Sequence, residues 1–83
     1  MIKKYVKKPI VVEAIQWTGY NIAEVKNFAE GHIGTYSNSS RIAVSTPEGR
    51  LFAYSGYYII KGINGEFYPC KPDVFKKTYE EIK

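Results

Sequence analysis

The sequence predicts a small α+β domain: an antiparallel sheet of four to five strands, one capped helix after the first strand, and a short C-terminal helix. Three observations carry that expectation. β-Branched and aromatic residues crowd residues 9–18. One segment, residues 21–31, combines helical periodicity with start and stop signals. From Gly31 onward, short apolar runs alternate with turn residues.

In residues 9–18, Ile10, Val12 and Ala14 share one face, while Val11, Glu13, Ile15 and Trp17 share the other. Apolar side chains on both faces predict a strand inside a sheet or covered on both sides. Asn21 follows as the helix N-cap, with Glu24 at the capping-box position and Tyr20 and Val25 placed for a hydrophobic staple. Ile22, Val25, Phe28 and Ala29 form the apolar stripe, and Gly31 is placed to end the helix in a left-handed turn.

Residues 32–36 read as a strand, followed by the polar loop 37–40. Residues 41–45 alternate with Ile42 and Val44 on one face, and Thr46-Pro47-Glu48-Gly49 turns them into residues 51–54. A second turn at Ser55-Gly56 leads into residues 57–61, and Asn64-Gly65 marks a hairpin to residues 66–70. Its loop has either two residues or four (62–65); the longer one sets Lys61 opposite Glu66. Pro69 cannot donate to a ladder and predicts an edge strand, which would allow a homodimer through that edge. Pro72 and Asp73 open the last helix, whose apolar side carries Val74, Phe75, Thr78, Tyr79 and Ile82.

With 83 residues the chain is one domain, residues 1–83, burying roughly 60% of its unfolded surface. A core that small leaves little room for an enclosed active site. The +4 net charge is local: Lys3, Lys4, Lys7 and Lys8 make a basic arm of residues 1–8, and the rest balances. A neutral body argues against nucleic acid as the main partner, although the arm can touch phosphate weakly. A single cysteine and the absence of a signal-peptide apolar core predict a soluble chain in a reducing compartment, with no membrane partner. Asn38-Ser39-Ser40 matches a glycosylation tripeptide by chance on that reading.

No constellation for catalysis stands out. His32 and Cys70 are single copies, expected respectively to cap the helix C-terminus and to pack a strand-to-helix corner. One His and one Cys cannot complete a structural zinc site, the acids show no calcium-loop spacing, and the glycines sit singly at turns. No catalytic residue, metal or cofactor is expected.

Thirteen aromatic side chains (eight Tyr, four Phe, one Trp) are too many for so small a core. Trp17, Phe28, Phe67, Phe75 and either Phe52 or Tyr54 are the expected core members. Some of Tyr5, Tyr20, Tyr36, Tyr57, Tyr58 and Tyr68 must then reach the surface, where tyrosine serves binding. The final hairpin is expected to gather Tyr57, Tyr58, Lys61, Glu66, Tyr68 and Lys71 as a contact surface, for a protein or for a small nucleotide-like ligand.

Two stretches carry a resemblance. Residues 55–62 read Ser-Gly-Tyr-Tyr-Ile-Ile-Lys-Gly, residues 65–75 read Gly-Glu-Phe-Tyr-Pro-Cys-Lys-Pro-Asp-Val-Phe, and residues 78–80 read Thr-Tyr-Glu. Together with Lys-Lys-Pro-Ile-Val-Val-Glu-Ala-Ile-Gln-Trp-Thr-Gly at residues 7–19, they resemble a family of small phage and prophage proteins of unknown function. Its pattern is (P/S)G(D/x)(Y/W)IIKG, then GEFYPCKPD(I/V)F, then TYE; Tyr57 stands where that pattern often carries Asp. The resemblance implies a phage or prophage origin and the bacterial host cytoplasm, but no activity. The resulting expectation is a phage-encoded, non-enzymatic binding protein that inhibits a host or anti-phage defence protein. A sponge for a nucleotide-derived ligand and a weak nucleic-acid-binding accessory protein are the alternatives.

Overall fold

The computed structural model describes residues 1–37 and 39–82; Asn38, the acceptor position of the glycosylation-type tripeptide, lies outside the described residues. The order of elements is β1 (Glu13–Gln16), α1 (Ile22–Phe28), β2 (Ile33–Thr35), β3 (Ile42–Thr46), β4 (Gly49–Ala53), β5 (Tyr58–Lys61), β6 (Phe67–Cys70) and α2 (Pro72–Thr78). The α+β class is as the sequence predicts, but the strands form two antiparallel three-stranded sheets, β1-β5-β6 and β2-β3-β4, rather than one. The predicted meander breaks at Ser55-Gly56. There Gly56 adopts φ +99° and Tyr57 N–H donates to the Tyr54 carbonyl at 2.9 Å. The chain leaves β4 and crosses to β1, which lies some forty residues earlier and whose partner no local signal names.

β5 is the central strand of its sheet. It pairs Ile59 with Ile15 and Pro69, and Ile60 with Ala14 and Tyr68. Neighbours across a ladder share a face and successive residues alternate. Ile59 therefore points into the space between the sheets and Ile60 points away, yet both are 0% exposed. The core joins Ile59 and Phe67 to Ile42, Val44 and Ala53 of the second sheet, with Val25 and Ala29 of α1 and Trp17 closing it. The predicted pairing of Ile42 and Val44 on one face is seen. Ala43, on the opposite face, is buried as well.

β1 is shorter than predicted and lies at an edge rather than inside. Glu13 already pairs with Lys61, the last residue of β5, so residues 9–12 run past the end of their neighbour. Having no strand beside them, Ile10 and Val11 stay exposed despite high β propensity. Beyond Gln16 the pairing continues through Trp17, whose N–H donates to the Tyr57 carbonyl at 2.8 Å and whose carbonyl accepts from Gly56 at 2.7 Å.

α1 begins after Asn21 as predicted, but the Asn21 side chain does not cap it. Its Oδ1 accepts from the Thr18 N–H and hydroxyl, at 2.9 and 3.0 Å. Its Nδ2 donates to the Gln16 carbonyl and to Glu24 Oε1, at 2.9 and 2.8 Å. The carboxamide thus binds the end of β1 to the start of α1, and Glu24 meets the Asn21 side chain rather than its backbone N–H, so neither bond of the capping box forms. No staple forms, because Tyr20 points into solvent at 95% exposure. Gly31 takes φ +71°, and His32 N–H closes the helix end onto the Ala29 carbonyl at 2.8 Å.

The last hairpin has a register that neither predicted loop matches: Lys61 faces Phe67, not Glu66. Gly62 N–H donates to the Glu66 carbonyl at 2.7 Å and Gly65 N–H to the Gly62 carbonyl at 3.0 Å, with Gly65 at φ +80°. That is a three-residue loop ending in a left-handed glycine bulge. Pro69 is on an edge strand, as predicted. α2 ends at Thr78, so Ile82 falls outside the helix and is exposed. Phe52 and Tyr54 are also exposed, correcting the expected core: the register sets Ala53 opposite Ile42, so Ala53 takes the inward position. Among the described residues no helix is long and apolar enough to cross a membrane.

Two substitutions separate these readings. Ile59→Val removes one methylene from the inter-sheet core and should cost about 1 kcal/mol in urea unfolding. Ile10→Val, made in the segment that looks equally strand-like in sequence, should change stability by less than about 0.5 kcal/mol.

Candidate functional site

The outward face of the β1-β5-β6 sheet carries Ala14, Gln16, Tyr58, Ile60, Tyr68 and Cys70, and Phe75 of α2 reaches it at Tyr58. Pro72 starts that helix in its first turn, where its missing N–H costs nothing, and directs Phe75 onto the sheet. The Phe75 ring stacks on Tyr58 with centroids 3.9 Å apart and planes 9° from parallel. Tyr79 follows at 5.1 Å from Phe75, and its hydroxyl lies 3.5 Å from that of Tyr68.

An open groove of about 1690 Å³ runs beside this aromatic cluster, bounded by residues 7–12, the β3–β4 turn, the β5–β6 loop and residues 75–82. Tyr58, Tyr68, Phe75 and Tyr79 line it together with the exposed apolar side chains of Val11, Ile63 and Ile82. Lys7, Lys8 and Lys76 stand on its border with Glu80 and Glu81.

The structure divides the six residues expected to form one contact surface. Tyr58, Tyr68 and Glu66 line the groove. Glu66 is occupied locally: its carboxylate folds over Gly62, where any side chain would collide with it, and accepts from the Asn64 N–H at 3.2 Å. Lys61 leaves β5 on the face opposite Tyr58, as the strand alternation requires. Tyr57 turns inward, against the core and the Tyr54 ring at 5.6 Å. Lys71 is the residue preceding α2 and is exposed. Phe75 and Tyr79 complete the site in a way not foreseen. Their spacing marks an apolar helix face, but nothing local says which sheet face it covers.

His32 and Cys70 are not a pair. The His32 ring packs 4.8 Å from Phe67 and its Nδ1 lies 2.6 Å from the Glu30 carbonyl, while Cys70 sits on the other face of β6. Burial, then the neighbouring Asp73 charge, pushes the Cys70 thiol up from its ordinary value. Among the described residues no three His, Cys, Asp or Glu side chains converge to hold a metal ion.

A second cluster, on the outer face of β2-β3-β4, has no counterpart in the sequence reading. Arg41 stacks its guanidinium over Phe52 at 4.4 Å and Tyr36 at 4.9 Å, and those two rings meet edge-on at 5.8 Å. Arg50 crosses the bare Gly34, where a Cβ would strike its guanidinium. The signal is present in sequence as Arg50 and Phe52 at strand spacing. Phe52 is masked there as a core candidate because Leu51 and Ala53 flank it.

No protein-family profile, curated protein or solved structure matches the chain.

The Tyr68 phenol is pushed up to about 12, first by burial and next by the Tyr79 hydroxyl. The folded state holds this proton more tightly than the unfolded chain does. The associated stability is therefore complete below about pH 10 and is lost as pH rises toward the folded value. In urea unfolding against pH, the alkaline loss of stability should be shallower in Tyr68→Phe than in the parent chain.

Proposed function

We propose that the chain is a phage- or prophage-encoded binding protein without catalytic chemistry of its own, which acts by occupying a host protein, such as a component of anti-phage defence. The observation that carries this reading is the groove over the Tyr58–Phe75–Tyr79–Tyr68 cluster. Its floor is aromatic and its border bears charges of both signs. Val11, Ile63 and Ile82 hold apolar side chains in water around it, each at least 73% exposed. Burying such side chains against a partner is worth roughly 1.5–3 kcal/mol each. Aromatic anchors ringed by polar groups are the usual anatomy of a protein interface. The sequence resemblance to small phage proteins supplies the setting, and a host target is the analogy drawn from it.

The reading is tested by native mass spectrometry of protein purified gently from a bacterial host, beside Val11→Asp and Ile63→Asp variants. Both positions are exposed, so both variants should melt as the parent does. The expected result is a co-purifying host protein captured by the parent and lost from the variants. Capture unchanged in both variants would take the contact away from the groove. An added mass of a few hundred daltons in its place would favour a small-ligand sponge.

A further inference from the structure

The outer face of the β2-β3-β4 sheet points to a ligand of its own. The chain has only two arginines, Arg41 and Arg50, and tertiary structure brings both to this face although the body of the protein is neutral. From the ladder register, Gly34, Ala43 and Phe52 share the face in one row and Ser45 and Arg50 in another; none is acidic. Phe52 and Tyr36 are 40% and 37% exposed, so each offers ring surface to solvent while Arg41 covers part of it. A guanidinium placed over aromatic rings still has N–H groups to donate to an anionic oxygen. Gly34 completes the arrangement, since the absence of a side chain lets Arg50 lie close to the sheet.

We propose that this face binds single-stranded nucleic acid. Phe52 and Tyr36 would stack unpaired bases, and Arg41 and Arg50 would take the phosphates. Two cations on a face whose ladder rows carry no acid complement a polyanion, and exposed rings next to them suit a ligand whose flat faces alternate with charge. A duplex presents its bases stacked on one another and leaves nothing for the rings to meet, so the face selects single strands. This surface lies on the sheet opposite the one that floors the groove, and the proposal stands apart from any protein partner there. It is also distinct from contact through the lysine arm. The arm adds long-range attraction to any polyanion, whereas the rings discriminate among polyanions.

The test is fluorescence anisotropy with a labelled oligothymidylate, titrated at several salt concentrations, with blunt duplex DNA and polyglutamate as competitors. Binding to the single strand should weaken as salt rises. Phe52→Ala should weaken it about tenfold, the size of one lost stacked base. Arg50→Gln should lower the salt slope by about 0.7, the share of one phosphate on a single strand. Both positions are exposed, and matched melting curves show that each variant is folded. Gly34→Ala gives an independent check, because it displaces Arg50 without removing its charge and should also weaken binding. The proposal is overturned if the parent chain does not bind the oligonucleotide at low salt. It is equally overturned if Phe52→Ala binds within about twofold of the parent, or if duplex or polyglutamate competes as well as single strand does.

Discussion

The demand that β5 be buried on both faces organises this molecule. Ile59 and Ile60 are adjacent, so a strand must send them to opposite sides, and both are closed to water. Each represents roughly 1.5–3 kcal/mol of transfer energy, large for a chain of this size. One layer cannot satisfy both. The second sheet and α1 cover Ile59, and on the other face the Phe75 ring of α2 stacks on Tyr58, two residues from Ile60. The two-sheet arrangement and the crossing at Ser55-Gly56 follow from that single strand.

Polar side chains then hold the layers in register. Asn21 binds the end of β1 to the head of α1 through four hydrogen bonds, at the point where a helix must be turned onto a sheet. The Trp17 indole N–H donates to the Ser40 carbonyl at 2.8 Å and ties the loop between β2 and β3 to the core. Ser55 does the same for the crossover, its hydroxyl donating to the Thr18 carbonyl at 2.8 Å. Glu66 spends its carboxylate on the hairpin loop, which is why a residue that reads as a recognition acid is better understood as part of the turn.

The two candidate surfaces differ in how they arise. The groove exists because β1 stops pairing at Glu13 while the chain before it continues alongside α2 and the hairpin loop. The arginine–aromatic face exists because the β3–β4 register turns Phe52 outward and Ala53 inward. A one-residue slip of that hairpin would bury Phe52 and dissolve the cluster. Thr46 and Gly49 guard against it: the Thr46 hydroxyl donates to the Gly49 carbonyl at 2.7 Å and accepts from the Glu48 N–H at 3.1 Å, with Gly49 at φ +114°.

Local chemistry was sufficient for the punctuation of this fold. Asn21 before a helix, Gly31 after it, Pro47-Glu48 between two strands, Asn64-Gly65 in a hairpin and Pro72 at a helix start act over a few bonds, and the sequence by itself determined them along with the α+β class. It also marked Trp17 and Phe67 as core and Pro69 as an edge residue. What it could not determine was which strands meet. Pairing β1 with β5 closes a long loop, and its reward is the shared burial of Ile59 and Ile60, a property of three layers that no window of sequence contains. The same limit governs the sites. Residues 9–12 look like a strand until their neighbour ends, the six hairpin residues share a stretch of chain but not a face, and Arg41, Arg50, Tyr36 and Phe52 become neighbours only after two hairpin registers are chosen. Propensity is settled between adjacent residues, whereas a surface is settled by which backbones the core brings together.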